Sequence, residues 1–304
     1  MRRYLIHFFL IFCVISLLFF PQTSIEGAKN GLILWSGTII PTLLPFLLLT
    51  GFMQYYQTFH FLSYLFFPVK KLFPDFNMDF FYTCILGFLC GCPLGAKIIN
   101  DFVINGSYTK EEGQKLLYLC NQISPMFTVG YTLNLILHGR ICLSRFFFCL
   151  YFPVFIYLFY LFFLFFTSDF LHIHHITPIT SPKKTIDLVI FDSLSSIFMI
   201  GICIMSFSIA SSMLTILPFP LYLKNISIGM LEITNAISHF GTTSYFSLHQ
   251  KSVFLCMITS FSGFCAIMQT MSVCKKSRLS IWKYLLVKLL FSMFSGLLAL
   301  LLLY

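Results

Sequence analysis

The run Gly87-Phe88-Leu89-Cys90-Gly91-Cys92-Pro93-Leu94-Gly95-Ala96-Lys97 interrupts an apolar stretch covering residues 79–105. Each arm is about a dozen residues, whereas a helix that crosses a bilayer needs ~20. Backbone polar groups cannot be left bare in hydrocarbon, so two short arms around a Gly/Pro tip predict a re-entrant hairpin. Asn121, 30 positions beyond Gly91, opens the sequence Asn121-Gln122-Ile123-Ser124-Pro125 in the middle of residues 110–137. Pro125 lacks an N–H and its ring crowds the carbonyl of Asn121, so that helix is expected to break there.

The pattern recurs in the second half. Residues 218–246 hold Leu231-Glu232-Ile233-Thr234-Asn235, and residues 248–273 are interrupted at Ser260-Phe261-Ser262-Gly263. Glu232 and Ser262 are again 30 positions apart. A hairpin followed by a discontinuous helix, present twice, is the plan of transporters built from inverted repeats. Around these segments lie plain apolar spans at 4–20, 31–53, 140–167, 188–216 and 279–303. Residues 57–74 read as a short interfacial helix, and 168–186 as a polar loop. The first span follows Arg2 and Arg3, as a signal peptide would. Only Phe20-Pro21-Gln22 stands where a small-residue cleavage site belongs, so a retained helix is expected. The resulting division is an anchor helix at 1–28, a first repeat at 29–167, a cytoplasmic loop at 168–187 and a second repeat at 188–304.

Composition agrees with an all-α polytopic membrane protein. Of 304 residues 58% are hydrophobic and 10% charged, with a mean hydropathy of +0.90. A soluble domain carries ~25% charged residues, so a water-facing surface cannot be built from this chain. The net charge of +9 therefore reflects orientation in a membrane, and no nucleic-acid partner is expected. With the N-terminus inside, Arg2, Arg3, Lys70, Lys71, Lys110, Lys115, Lys183, Lys184, Lys275, Lys276, Arg278 and Lys283 face the cytoplasm. Lys29, Arg140, Arg145, Lys224 and Lys251 face outward, while Lys97 and Lys288 fall within membrane segments. This bias follows the positive-inside rule and places the two hairpins on opposite sides.

These segments resemble the sporulation integral membrane proteins of the YlbJ type, which carry the nucleoside-recognition (Gate) domain. The matching pieces are WSGTIIPTLLPF (35–46), GFLCGCPLGAK (87–97), NQISPMF (121–127), GMLEITN (229–235) and SFSGFCAIMQ (260–269). The resemblance implies a fold related to concentrative nucleoside transporters, in which hairpin tips and broken helices surround the substrate. It also implies a role in endospore formation, with dipicolinate moved across a spore-enclosing membrane. Two positions depart from the family pattern: Cys92 stands where an aromatic residue is usual, and Asn235-Ala236 where a glycine is.

The chemistry these residues can support is binding. Gly91 and Gly95 would let the backbone approach a ligand at a tip that Cys92 and Pro93 complete as candidate binding residues, and half-helix N-termini carry partial positive charge. Lys97 would either add a full charge for an anion or snorkel to the interface. Glu232 reads as a coupling carboxylate, as an acceptor for a substrate hydroxyl, or as a partner for Lys97 or a half-helix N-terminus. Asn121, Gln122, Ser124, Thr234, Asn235 and Gln269 could bond a ligand or satisfy backbone freed by the breaks. Ser262 and Gly263 permit the second break. His172, His174 and His175 lie in a polar loop with no cysteine nearby, and neither a metal nor another cofactor is expected. The coupling cation, H+ or Na+, stays open. With no HExxH, no GxSxG and no paired intramembrane acids, an enzyme is not expected. The sequence thus points to a multi-pass transporter of the bacterial cytoplasmic membrane for a small anionic or nucleoside-like metabolite. The alternative is a non-transporting scaffold of a sporulation membrane.

Overall fold

The computed structural model describes residues 14–56, 79–167, 185–242 and 245–303, with single positions 7, 11, 58 and 71. The expected interfacial helix at 57–74 (apart from positions 58 and 71), the histidine loop, and residues 4–6, 8–10, 12 and 13 of the 4–20 span lie outside the described residues. Among those described, every regular element is a helix, and five helical stretches are long and apolar enough to cross a membrane.

The first of them begins earlier than the sequence pattern predicts. Helix α1 (Pro21–Leu34) runs through a π-helical turn (Trp35–Ile39) into α2 (Ile40–Tyr55) without interruption. Pro21 starts this helix because proline fits the first helical position, where its missing N–H has no intrahelical partner anyway. The expected boundary at 28/29 therefore falls inside α1. In the π turn the Ile40 N–H reaches back to the Trp35 carbonyl. Widening the helix just ahead of Pro41 is a local adjustment that lets a membrane helix carry a proline.

Two hairpins and two broken helices follow, at the positions the Gly/Pro pattern predicts. Helices α3 (Asp79–Cys90) and α4 (Leu94–Ile104) pack on each other. Helix α5 (Lys110–Cys120) then stops, and α6 (Pro125–Phe127) leads into a π segment (Thr128–Ile136). The expected cap at Thr109 is present as a reciprocal pair: its hydroxyl accepts from Glu112 N–H while the Glu112 carboxylate accepts from Thr109 N–H. Helices α7 (Leu143–Thr167) and α8 (Ile186–Ile216) are long and apolar. Next come the hairpin α9 (Leu221–Leu231) and α10 (Ile233–Thr242), and the broken pair α11 (Leu248–Phe261) and α12 (Gly263–Val273). Helix α13 (Ile281–Leu302) is the last.

Small residues decide how the first helix meets α8. A Cβ on Gly27 or Gly31 would lie 2.8 Å from the Ile209 or Met205 Cα. The two glycines thus make a Gly-xxx-Gly face that lets backbones approach closely, the kind of packing membrane helices rely on. Farther along, the Trp35 Nε1 donates to the Ile197 carbonyl at 3.0 Å, and Gly201 makes room for its ring. Some of the other contacts come in reciprocal pairs. Helix α13 packs on α5 as α7 packs on α11, and α4 packs on α12 as α10 packs on the 128–136 π segment. Helices α7 and α13 also pack together. One face of the Phe-rich α7 (Phe155, Phe159, Phe163, Phe166) is exposed, while Phe146 and Phe165 are buried.

Cys142 lies in the exposed turn before α7. The Ser144 hydroxyl and then the Arg145 and Ser144 N–H groups hold its thiol below the ordinary range, because each favours the thiolate. A membrane-impermeant maleimide is expected to modify Cys142 faster than the buried thiols, at a pH lower than a free cysteine requires. Labelling intact cells with and without Cys142→Ser measures both that reactivity and the face on which the turn lies.

Candidate functional site

Glycine geometry joins each hairpin tip to its neighbouring break. Gly91 has φ +73°, a region L-residues avoid, and a Cβ there would stand 2.6 Å from the Ser124 N. The following residue, Cys92, donates its N–H to the Gln122 carbonyl at 2.7 Å. Gly95 is tighter still, with room for no Cβ against the Cys120 carbonyl. In the second half the close approach is made from the other side. Gly263 (φ +79°) on the broken helix faces the hairpin tip, where a Cβ would meet the Leu231 O at 3.1 Å and the Ile233 N at 3.3 Å.

Asn121 fastens the first break to the second half. Its Nδ2 donates to Thr270 Oγ1 at 2.8 Å and to the Tyr284 hydroxyl at 2.9 Å, and its Oδ1 accepts from Ala96 N–H at 3.3 Å. The Tyr284 hydroxyl in turn donates to the Asn121 carbonyl at 3.0 Å, freed when α5 ends. Gln122 donates to the Tyr118 carbonyl at 2.6 Å and accepts from the Lys288 ammonium at 2.8 Å. At the second tip Glu232 is buried, in extended backbone between α9 and α10. Its carboxylate accepts from Thr234 N–H at 3.0 Å and Asn235 N–H at 2.7 Å. It therefore caps α10, meeting two otherwise unpaired donors with a full negative charge at the positive helix end. Asn235 reaches away to Ser208 on α8 at 2.9 Å.

Between these parts lies a cavity of about 380 Å³. Both tips border it, through Cys90 and Cys92 and through Glu232, Ile233 and Thr234. So do both breaks, through Ile123 and Ser124 and through Ser262. Of the residues predicted for the site, Cys92, Ser124, Glu232, Thr234, Ser262 and Gln269 line it. Gly91, Gly95, Asn121, Gln122 and Asn235 stand behind the wall as its joints. Pro93 and Lys97 border a separate cavity of about 30 Å³, which Gln269 shares. The Lys97 ammonium donates to Ser196 Oγ at 3.0 Å on α8, so it does not meet Glu232 across the main cavity. The small-molecule-sized main cavity is mostly apolar, with a few placed polar groups, as binding sites generally are.

Three features escaped the sequence. Thr38 and Thr42, from the π turn and α2, form a wall of the cavity, as does Tyr131. The Thr42 hydroxyl donates to the Thr38 carbonyl at 2.7 Å. The third is Lys288, only 1% exposed in the middle of α13. A charge eight residues into an apolar helix was a visible signal, but its partners lie 26 to 166 positions away. No group of three or more metal-ligating side chains occurs among the described residues.

No family model matches the chain, and no solved structure matches it. Among curated proteins it is similar to the sporulation integral membrane protein YlbJ of Bacillus subtilis (strain 168). The two are 23% identical over 338 aligned positions, which take in 98% of this chain and 82% of the relative. That similarity extends over nearly the whole chain, as does the motif resemblance to YlbJ-type sporulation integral membrane proteins.

Proposed function

We propose that the chain transports a small anionic or nucleoside-like metabolite across a membrane by alternating access, during endospore formation. The observation that carries this reading is that both hairpin tips and both helix breaks border one cavity. The endospore setting follows the relative's name, and dipicolinate, an aromatic dicarboxylate, follows the family resemblance. In this reading α3–α4 and α9–α10 are re-entrant hairpins. Their arms of 12, 11, 11 and 10 residues reach about 15–18 Å, against a hydrocarbon core of ~30 Å. The reciprocal packing of α5 on α13 and α11 on α7 favours two repeats related by a pseudo-two-fold axis.

The cavity's polar ends favour an anion. Helices α10 and α12 both start at its wall, and their N-termini carry partial positive charge. Glu232 already meets that of α10, while α12 begins at Ser262 with no side-chain cap. A ligand carboxylate fits that second helix end, and the apolar walls of Ile39, Phe46, Ile200 and Ile204 fit an aromatic ring. Purified protein in liposomes, given dipicolinate and nucleosides side by side, should accumulate one of them saturably. Accumulation of none would remove the transport reading and leave a scaffold.

Glu232 offers a second measurement. Glu232→Ala uncaps α10 and should cost about 0.5–2 kcal/mol, read as a lowered unfolding midpoint in detergent. Glu232→Gln keeps an acceptor for one of the two N–H groups and should unfold nearer the parent. If the charge itself serves transport, that variant still loses uptake on the order of tenfold, the equivalent of about 1.4 kcal/mol.

A further inference from the structure

The Lys288 ammonium donates to three oxygens: Gln122 Oε1 at 2.8 Å, the Ser260 carbonyl at 2.9 Å and Ser262 Oγ at 3.0 Å. All three are neutral, and they match the three protons of the ammonium one for one. They come from both broken helices. Gln122 follows the end of α5, the Ser260 carbonyl belongs to the last turn of α11, and Ser262 is the left-handed residue (φ +72°) that ends α11. The last four carbonyls of a helix lack intrahelical partners, and a helix C-terminus carries partial negative charge. The ammonium therefore sits where two half-helices end, one from each half of the chain. Ser262, one of its acceptors, also borders the main cavity.

Freed carbonyls and side-chain oxygens at the ends of broken membrane helices are the usual means of holding a sodium ion in transporters. Here such an oxygen set is occupied by a side chain. A charge this deeply buried is costly and is retained for a task. A purely structural link between the breaks could be made by a neutral donor at lower cost.

We infer that Lys288 is a built-in cation, holding the place a mobile sodium ion would take where the two broken helices meet. Substrate movement consequently runs without sodium, and the fixed positive charge beside Ser262 favours an anionic ligand. This rests on the transport reading given above. The oxygen site itself can be tested without transport.

The experiment compares the parent protein, Lys288→Ala and Lys288→Met in sodium chloride and in choline chloride at equal ionic strength. Thermal unfolding is followed in detergent, and dipicolinate and nucleoside uptake in liposomes. The parent should show the same midpoint and the same uptake in both salts. Lys288→Ala vacates the three oxygens, so its midpoint should rise in sodium. Its uptake should fall about tenfold in choline and recover in part with sodium. Lys288→Met fills the space with apolar atoms and should ignore sodium. Sodium stabilisation or sodium-dependent uptake of the parent would overturn the proposal, as would identical behaviour of the two variants in both salts. If Lys288→Ala is not recovered folded, the parent decides: indifference to sodium supports the proposal and dependence overturns it. If the parent accumulates neither probe, the transport reading fails, while the sodium response of Lys288→Ala still decides the oxygen site.

Discussion

Asn121→Leu should lower the stability of the folded protein by about 2–4 kcal/mol, the sum of one orphaned donor and two lost bonds. Asn121 is fully buried, and leucine matches its size without its polarity. The Ala96 N–H, in the first turn of α4, then has no intrahelical acceptor and loses the Asn121 Oδ1. A buried donor left unmet costs ~1–3 kcal/mol. Thr270 and Tyr284 each lose one incoming bond, worth ~0.6 kcal/mol apiece in membrane proteins. Thr270→Val, which removes only one member of this network, should cost about a third as much or less. Unfolding midpoints in detergent for the two variants give the comparison. Equal, small effects would mean that the break is held by packing alone.

Gly95→Ala should be the most damaging single methyl in the chain's first half. The new Cβ would collide with the Cys120 carbonyl oxygen and lie 2.9 Å from its carbon, and neither can swing aside because both are backbone. Overpacking of this kind costs about 1–3 kcal/mol and moves the backbone. The hairpin tip would be levered off the first break, so the Cys92 N–H bond to the Gln122 carbonyl should weaken with it. The expected outcome is a lower unfolding midpoint and loss of uptake by about tenfold or more, since 1.4 kcal/mol is a factor of ten. Gly37→Ala is the control. Its Cβ meets nothing within 4 Å, and it should leave both readouts near the parent.

Much of this architecture was legible because glycine and proline are read locally. Pro125 disfavours a continuous helix on local grounds, and a tip at Gly91 is expected from arms too short to cross. The spacing of 30 positions carried tertiary information as well, since Cys92 and Gln122, also 30 apart, share a backbone hydrogen bond. Capping a half-helix was one of several readings open for Glu232, and its carboxylate does accept from two N–H groups at the start of α10. Lys97 and Lys288 were not separable in that way. Both are lone cations in apolar stretches, and only packing decides that one reaches α8 while the other meets two helix breaks. Thr38 and Thr42 were illegible for the same reason: which apolar helix lines the cavity is decided by packing, and the Thr42 hydroxyl that bonds its own helix backbone leaves no mark on hydropathy. The run from Pro21 into α2 was expected to begin only at residue 31, because Gln22, Ser24, Glu26 and Lys29 interrupt the apolar pattern without interrupting the helix that Pro21 starts.

The two joints are built with opposite handedness of contribution, glycines on the hairpin in one (Gly91, Gly95) and on the opposing segment in the other (Gly263). A synthetic protein made from a tandem duplication of residues 79–167 would carry the same relief twice on the same partner and none of the second kind. Neither joint can therefore stand in for the other, because each finds its clearance on a different segment.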